Sequence, residues 1–384
     1  MRKLSAGMWY LIVVFGCVSA PAQSKPRARD LGVPFDGNPG LLNAITDVKG
    51  VEIGYTTLIS GDGPLKVGVG PVRTGVTAIL PRGKNSRDAV FAGYFSLNGN
   101  GEMTGTLWVE DSGFLDGPVM ITNTHSVGVV RDAVIQWKVK RGEADEEGYW
   151  WSLPVVAETW DGYLNDVNGF HVKSEDAIHA LDSAASGPVA EGNVGGGTGM
   201  ICNEFKGGIG TSSRVLSPKD GGYTVGVLVQ CNYGEREQLR IAGIPIGREI
   251  PGPKIWDDDT GSIIVVVATD APLIPTQLKR VARRVALGVG RNGSYSGDGS
   301  GDLFIAFSTA NPGAIKQKGL RQITMVPNGQ LDPVFLATVQ ATEEAVVNAM
   351  IAAEDMKGVN NHFVPALPHD KLREVLRRYN RLVR

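Results

Sequence analysis

A run of five β-branched residues over 263–267 (IIVVV) constrains the fold of this chain more than any other feature. A strand that is apolar on both faces must be covered on both sides, which predicts the centre of a layered protein. Ser262 opens this strand, and Gly261 and an acidic segment at 252–260 precede it. A serine at such a point can attack the preceding carbonyl, shift the acyl group from nitrogen to oxygen and release a new N-terminus. Most Gly-Ser pairs before strands are ordinary turns, so the pattern needs support from the rest of the chain.

The composition is that of a large globular protein. The chain has 384 residues, of which 42% are hydrophobic and 20% charged, enough for one large domain or two. A net charge of −2 without a long basic run argues against nucleic-acid binding. The 51 glycines occur in clusters without a fixed period, which indicates tight loops.

The N-terminus has the pattern of a secretory signal peptide. Arg2 and Lys3 precede an apolar stretch at 8–18, and small residues follow it. Cleavage after Ala20 or Ala22 fits the small-residue rule for such signals. The sequence therefore predicts a periplasmic or secreted protein.

Residues 1–22 are accordingly excluded from the fold. Their apolar core is too short to span a bilayer comfortably. Residues 14–17 loosely resemble a lipoprotein box, but Phe15 fits it poorly, which disfavours a lipid anchor. No later stretch is predicted to cross a membrane.

Two cysteines, Cys202 and Cys231, remain in the processed chain. Export permits a disulfide between them. Both lie in apolar, strand-like contexts, so buried free thiols fit the sequence about equally well. They lack Cys-x-x-Cys spacing and give no indication of a metal site.

Strand and helix patterns alternate along the rest of the chain, with no clean linker and no sustained repeat. This alternation predicts an α+β layered domain. Short strands are predicted between 45 and 130, most clearly at 74–83 and 117–130, and further strands at 221–234 and 302–309. Helices are predicted at 131–140, at 174–185, at 275–287 ended by Gly288, from a cap at Asp332 to Met356, and after a cap at Asp370.

Six motifs occur in order along the chain: LNGNGEMTG (97–105), LPVVAETWDG (153–162), GNVGGGTGM (192–200), FKGGIGTSSR (205–214), QCNYG (230–234) and GSIIVVVATDAPL (261–273). Together they resemble the L-aminopeptidase/D-amidase-D-esterase family, which includes the β-peptidyl aminopeptidases. The resemblance runs from about Asp30 to the C-terminus. It implies a four-layer αββα sandwich and self-cleavage at 261/262 into a large subunit, 23–261, and a small subunit, 262–384. It also implies a homotetramer of such pairs and no metal or organic cofactor.

The same resemblance implies roles for individual residues. Ser262 matches the nucleophile that becomes the N-terminus of the small subunit. Asn232 matches the asparagine that donates to the oxyanion, and Glu158 the acid that binds the free amino group of the substrate. Ser300 and Asp302 match a serine and an acidic residue beside the nucleophile.

Two positions depart from the relatives. Where this chain has Asp302 the relatives carry Glu, and Asp is one methylene shorter, which leaves open its reach to Ser300 or to the Ser262 amine. Trp160 stands where some relatives carry Tyr. A hydroxyl contact is therefore not expected there, and the bulkier ring should change which substrate side chains fit.

The residue types suit this chemistry. The α-amine of a freed Ser262 would titrate near about 7.7–8, which suits a general base. Ser300 could connect hydroxyl and amine, with Asp302 orienting it, although Ser-Gly-Asp and Asn-Tyr-Gly are also ordinary turn sequences. Asn232 could donate to the oxyanion. Glu158 follows an apolar run, so it should be partly buried and paired either with a substrate ammonium or with an internal Lys or Arg.

Other candidate sites are weaker. The glycines of 192–199 lack the Gly-Lys-Ser/Thr ending of a phosphate loop, and closely approaching backbones explain them better. His125 has no partner motif for a catalytic triad and is expected to be packed or exposed. The aspartates at 257–259 could bind Ca²⁺, but a solvated loop is the simpler interpretation.

The sequence thus predicts an exported, self-processing serine aminopeptidase. Its substrates would be short peptides, amides or esters with a free amino group, including β- or D-residues. One alternative is a self-cleaving acyltransferase resembling ornithine acetyltransferase, which Ser262 and the export signal disfavour because those enzymes use Thr and act in the cytoplasm. A second is a catalytically dead exported binding protein, which predicts no cleavage.

Overall fold

The computed structural model of the chain describes residues 25–142, 150–255, 260–316 and 318–383. The predicted signal peptide and the aspartates at 257–259 lie outside these residues. The strands are β1 Glu52–Ser60, β2 Val72–Leu80, β3 Val90–Gly99, β4 Phe114–Leu115, β5 Val119–Asn123, β6 Val155–Thr159, β7 Ile201–Cys202, β8 Phe205–Lys206, β9 Gly208–Val215, β10 Thr224–Asn232, β11 Thr260–Thr269, β12 Gly299–Ser308, β13 Met356–Lys357 and β14 Phe363–Val364. The helices are α1 Thr106–Ser112, α2 Val127–Lys140, α3 Ser174–Asp182, α4 Ile246–Glu249, α5 Pro275–Arg291, α6 Asp332–Ile351 and α7 His369–Arg378.

The apolar run 263–267 lies in the middle of the larger of two main sheets. That sheet has the order β4-β3-β12-β11-β10-β9, and the smaller sheet has the order β1-β2-β5-β6. Strand β11 is antiparallel to β10 and parallel to β12. All five side chains of the run are 0% exposed. The prediction of a strand buried on both faces is confirmed.

The side chains of β11 alternate between two hydrophobic cores. Ile263 and Val265 pack in the core formed with the outer helices α5 and α6. Ile264 and Val266 pack between the two sheets, together with Ile121 of the smaller sheet. Helices α2 and α3 cover the outer face of the smaller sheet. The fold is therefore a four-layer αββα sandwich, which confirms the expected α+β class.

Both sides of the 261/262 peptide bond contribute to the same layers. Strands β3, β4, β9 and β10 precede the bond, the bond lies near the start of β11, and β12 follows it in one continuous sheet. Glu344 of α6 makes ion pairs with Arg29 and Arg214 from the earlier part of the chain, both at 2.8 Å. Burial opposes ionisation of Glu344, but these two guanidinium groups outweigh it and lower the pKa of Glu344.

Several predicted boundaries were wrong because tertiary contacts override local signals. Helix α5 continues past Gly288 to Arg291, since that glycine packs against α6, where a Cβ would lie 2.6 Å from Cβ of Thr342. Helix α6 ends at Ile351 rather than at Met356. Asp332 is the first residue of α6 and makes no side-chain cap, and α7 begins at His369 rather than at a cap on Asp370.

The segment predicted as strand over 117–130 contains two elements. Strand β5 ends at Asn123, and helix α2 begins at Val127. The apolar residues of 127–130 therefore pack as one turn of helix against the smaller sheet. A second helix, α1, interrupts the region predicted to be strands only.

One helix, α6, is long and apolar enough by composition to cross a membrane, contrary to the expectation that no later stretch has such a composition. Helix α6 reaches a mean hydropathy of 1.2 over its most apolar window, but 83% of that window is buried inside the protein. Its apolar surface is covered by the larger sheet and α5. We therefore interpret α6 as a core helix.

Removing the carboxylate of Glu344 should strongly destabilise the fold. Glu344→Ala leaves Arg214, whose side chain is 1% exposed, without its counter-charge. We expect the free energy of unfolding, measured by urea titration, to fall by about 3–5 kcal/mol. Because the pKa of Glu344 is lowered in the fold, its contribution should be complete above the ordinary Glu value of about 4.3 and lost as the pH falls through the lowered pKa.

The adjacent Glu343 offers a matched control. It pairs with Arg291, which is 38% exposed, so Glu343→Ala should cost no more than about 1 kcal/mol. Equal losses for the two alanine variants would contradict the interpretation of Glu344 as a buried counter-charge.

Candidate active site

Ser262 lies against the peptide bond that it is predicted to break. Its side chain is 5% exposed, and its Oγ donates a hydrogen bond to the Gly261 carbonyl oxygen at 2.6 Å. Gly261 has φ +129°, and a Cβ there would lie 2.2 Å from the carbonyl oxygen of Asn232. Only glycine allows this approach. The strand pairing thus places the hydroxyl next to the carbonyl without obstruction from a side chain.

Asn232 lies directly opposite Ser262, at the end of β10. Its Oδ1 accepts the Ile201 N–H at 2.8 Å, and its Nδ2 donates to the Trp160 carbonyl oxygen at 2.9 Å. These contacts fix which end of the amide carries the hydrogens. An amide nitrogen has two of them, so one N–H beyond the Trp160 contact is suited to an oxyanion formed at Ser262.

Ser300 and Asp302 lie on β12, beside the start of β11. The register pairs Ser300 with Gly261 and Asp302 with Ile263, so Ser300 lies beside the Gly261–Ser262 peptide. Ser300 Oγ donates to Asp302 Oδ1 at 2.7 Å. The shorter acid therefore reaches Ser300. Burial raises the pKa of Asp302, and hydrogen bonds from Ser300, from Ser296 and from the Ile263 N–H oppose that rise.

Glu158 is buried on β6 with only neutral hydrogen-bond donors around its carboxylate. It is 3% exposed, its Oε1 accepts the Glu102 N–H at 2.9 Å, and its Oε2 accepts the Thr124 hydroxyl. Burial raises its pKa, and these two hydrogen bonds partly oppose the rise. Among the described residues no Lys or Arg forms an ion pair with it. The predicted alternative, an ion pair between Glu158 and an internal Lys or Arg, is therefore absent from the described residues.

The carboxylate of Glu158 lies close to the strands that carry Ser262. A Cβ on Gly101 would be 3.3 Å from Glu158 Oε1 and 3.3 Å from Cα of Gly301. Gly301 is in turn the register partner of Ser262. The glycines of the LNGNGEMTG segment thus allow its backbone to lie between the acid and the sheet.

Trp160 follows β6 and forms the exposed edge of this region. It is 43% exposed, and its ring lies over Gly162, where a Cβ would be 2.4 Å from Cζ2. Its backbone carbonyl contacts Asn232. The structure therefore brings all of the predicted site residues together, with Trp160 as the accessible one.

The glycine-dense segment serves close packing between the sheets. A Cβ on Gly196 would lie 2.8 Å from the Ile121 carbonyl oxygen, and one on Gly199 would lie 2.3 Å from that of Arg73. The prediction of closely approaching backbones in this segment is confirmed. The prediction that His125 is packed or exposed is also confirmed. His125 is exposed and stacks on the Phe170 ring at 6.0 Å.

Sequence reasoning missed several polar groups near the site. Thr124, which binds Glu158, belongs to a polar cluster at the end of β5 that could have indicated it. Asp161 is 1% exposed and accepts hydrogen bonds from Asn123 and Asn165, and burial raises its pKa to about 6. Lys206 is 0% exposed and contacts backbone carbonyls, for which the sequence contains no signal.

The two cysteines left open by the sequence form a disulfide. Cys202 and Cys231 have a Cα–Cα distance of 5.6 Å, within the range for such bonds. The bond joins the β7–β8 hairpin to β10, one residue before Asn232. Within the described part of the chain, no cluster of three or more His, Cys, Asp or Glu side chains is placed to hold a metal ion.

Comparison with known proteins identifies the family of the chain. The sequence model of Peptidase family S58 matches residues 43–364. The chain is 55% identical to β-peptidyl aminopeptidase BapA of Sphingosinicella microcystinivorans, over 96% of this chain and 97% of the relative.

Two solved structures have the same fold. The L-aminopeptidase D-Ala-esterase/amidase of Ochrobactrum anthropi, a serine aminopeptidase with a variant of the Ntn hydrolase fold, has a TM-score of 0.88 at 51% identity, covering 94% of this chain and 100% of its own. A β-aminopeptidase from Burkholderia sp. has a TM-score of 0.85 at 46% identity, covering 92% of this chain and 99% of its own. The chain belongs to peptidase family S58 and is a hydrolase that acts on peptide bonds.

Proposed function

We propose that this chain is an exported serine aminopeptidase that cleaves itself before Ser262. It would then release the N-terminal residue of short peptides, amides or esters with a free amino group. The observation that carries the proposal is the placement of the Ser262 hydroxyl on the Gly261 carbonyl, with Asn232 opposite. The names of two relatives support β-amino acids among the released residues.

Self-cleavage would begin with attack of Ser262 Oγ on the Gly261 carbonyl carbon. As the ester forms, the C–N bond breaks and the hydroxyl proton passes to the Ser262 nitrogen. Water then hydrolyses the ester, which leaves a Gly261 carboxylate and a Ser262 with both hydroxyl and amine free. The absence of a Cβ at Gly261 favours the attack, because no side chain blocks the carbonyl.

The freed Ser262 would be nucleophile and base at once. Its amine, with an ordinary pKa of about 7.7–8, can take the hydroxyl proton during attack on a substrate carbonyl. Ser300 lies beside that nitrogen in the register and is oriented by Asp302. Asn232 would donate to the oxyanion of each tetrahedral intermediate, first as the acyl-enzyme forms and then as water hydrolyses it.

Glu158 would select substrates with a free amino group. A buried carboxylate supported by neutral hydrogen-bond donors gains most from an arriving cation, because no Lys or Arg among the described residues forms an ion pair with it. Trp160, at the exposed edge of the site, would limit the size of the substrate side chain.

Export and assembly form part of the same proposal. The signal pattern at 1–22 supports export, and the Cys202–Cys231 disulfide suits an oxidising compartment. The sheet shared across 261/262 would hold 23–261 and 262–384 together after cleavage. We further propose that these pairs assemble as homotetramers, as the resemblance implies.

Removing the Ser262 hydroxyl should abolish self-cleavage. Ser262→Ala should remain one chain and hydrolyse no aminoacyl p-nitroanilide, because it lacks both the attacking hydroxyl and the nucleophile. Ser308, a buried serine at the far end of β12 that bonds the Ala271 carbonyl, provides a control, and Ser308→Ala should be cut and active. Denaturing gels and intact mass decide the matter. A cut or active Ser262→Ala protein would refute the proposal.

Removing the Asn232 amide should slow the chemical step, because the oxyanion loses a donor. Asn232→Ala should lower kcat per cut chain by about 10²–10³ with little change in KM. Asn193→Ala, which removes a surface contact with the Glu354 carbonyl, should leave kcat unchanged. Steady-state rates normalised to the cut fraction test this, and a normal kcat for the Asn232 variant would remove Asn232 from the mechanism.

Substrate binding should depend on the ionisation of Glu158 and therefore on pH. Glu158 must be ionised to bind an ammonium, and burial raises its pKa, so the KM of the wild-type enzyme should rise as the pH falls through that raised pKa. Glu158→Gln should raise KM by about 10- to 100-fold, equivalent to about 1.5–3 kcal/mol for a charge-assisted pair. Its KM should no longer vary over the same acid range.

Glu110, a surface acid paired with Lys279, provides the control for that experiment. Glu110→Gln should keep the wild-type KM and its pH dependence. If Glu158→Gln shows the wild-type profile as well, Glu158 does not bind the amino group.

A further inference from the structure

Lys206 is a buried lysine whose hydrogen-bond partners among the described residues are backbone carbonyls. It is 0% exposed, and its Nζ donates to the carbonyl oxygens of Met200 at 2.7 Å, Gly207 at 2.9 Å and Gly197 at 3.4 Å. Three acceptors match the three N–H groups of an ammonium. Among the described residues no carboxylate forms an ion pair with it. Burial lowers the pKa of Lys206 well below its ordinary value, and the three carbonyl dipoles are what favour the ammonium form.

Lys206 and Asn232 hold opposite ends of one peptide unit. The Met200 carbonyl accepts from Lys206, and the N–H of the same peptide, on Ile201, donates to Asn232 Oδ1 at 2.8 Å. The Gly207 N–H also donates to the Met200 carbonyl, at 2.9 Å. Two donors therefore hold the Met200 carbonyl. The Ile201 N–H, at the other end of the same peptide, orients the Asn232 amide.

This arrangement has an electrostatic consequence. A cation on the carbonyl oxygen of a peptide polarises its N–H, since chained hydrogen bonds strengthen one another in a low dielectric. A stronger bond from Ile201 to Asn232 Oδ1 draws electron density through the Asn232 amide and makes its Nδ2 hydrogens better donors. Through this chain of hydrogen bonds, a protonated Lys206 would stabilise an oxyanion held by Asn232 without touching it.

The surrounding structure holds this hairpin against β10. The Cys202–Cys231 disulfide joins the residue after Ile201 to the residue before Asn232. A Cβ on Gly207 would lie 2.5 Å from the Cys231 carbonyl oxygen, so glycine is needed for this contact. The disulfide sets the position of the hairpin, and Lys206 sets the orientation and charge of the peptide within it.

We infer that Lys206 is a positioning residue for the oxyanion donor: through the Met200–Ile201 peptide it orients and polarises the Asn232 amide. The inference rests on the proposed function, in which Asn232 donates to the oxyanion. It predicts that loss of the charge slows the chemical step and self-cleavage, and leaves substrate binding unchanged.

The experiment replaces Lys206 in the full-length, exported protein. Lys206→Met keeps most of the side-chain length without charge, and Lys206→Gln keeps a donor nitrogen without charge. Both should lower kcat for an aminoacyl p-nitroanilide about ten-fold per folded, cut chain, with KM unchanged and with slower self-cleavage. Lys206→Arg, which keeps the charge, should restore part of kcat.

Lys138→Met is the matched control. Lys138 is also buried, 3% exposed, but pairs with Asp116 on the outer layer away from Ser262. Its replacement is expected to lower the melting temperature and leave kcat per folded, cut chain at the wild-type value. Circular dichroism and intact mass give the folded and cut fractions for every variant.

A double-mutant comparison separates this inference from the proposed function. In an Asn232→Ala background, Lys206→Met should cause no further loss of kcat, because the amide through which it acts is gone. A normal kcat for Lys206→Met and Lys206→Gln would overturn the role of Lys206. A ten-fold loss that persists in the Asn232→Ala background would do the same, and either result leaves the proposed function standing. Full turnover by Asn232→Ala itself would instead overturn the proposed function.

Discussion

The contact between the Gly261 backbone and the Asn232 carbonyl oxygen determines the geometry of the site. A Cβ at Gly261 would lie only 2.2 Å from that oxygen, so any other residue would push β10 and β11 apart. With glycine, the two strands stay paired to their ends, and Asn232 lies opposite Ser262. The parallel strand β12 then places Ser300 beside the same peptide bond. Ordinary sheet pairing thus brings Ser262, Asn232 and Ser300 together around one peptide bond.

Burial gives the acids of this protein different roles according to their partners. Glu344 lies between two guanidinium groups that lower its pKa, and it acts as a structural counter-charge. Glu158 and Asp302 are as deeply buried but receive only neutral donors, and burial raises their pKa values. Glu158 can therefore accept an external cation. Burial lowers the pKa of Lys206, and the backbone carbonyls around its Nζ are what favour its ammonium form.

Local sequence predicted the parts of the fold and site that depend on local chemistry. The run 263–267 indicated a strand covered on both faces, whereas Ser262 and its partners were implied by the family resemblance that the ordered motifs carry. The rest depends on contacts made across the fold. Helix α5 continues past Gly288 because another helix packs there, and Lys206 is stabilised by carbonyls that only the folded hairpin brings together. Neither effect leaves a periodicity or a motif in the sequence.

The central claim is that the hydroxyl of Ser262 breaks the peptide bond before it and that the new chain end is the active group. The most direct measurement is the intact mass of the wild-type exported protein, taken on the same sample as its turnover of an aminoacyl p-nitroanilide. The account predicts two chains, one ending at Gly261 and one beginning at Ser262, with turnover proportional to the cut fraction. A single uncut chain with full turnover would contradict it.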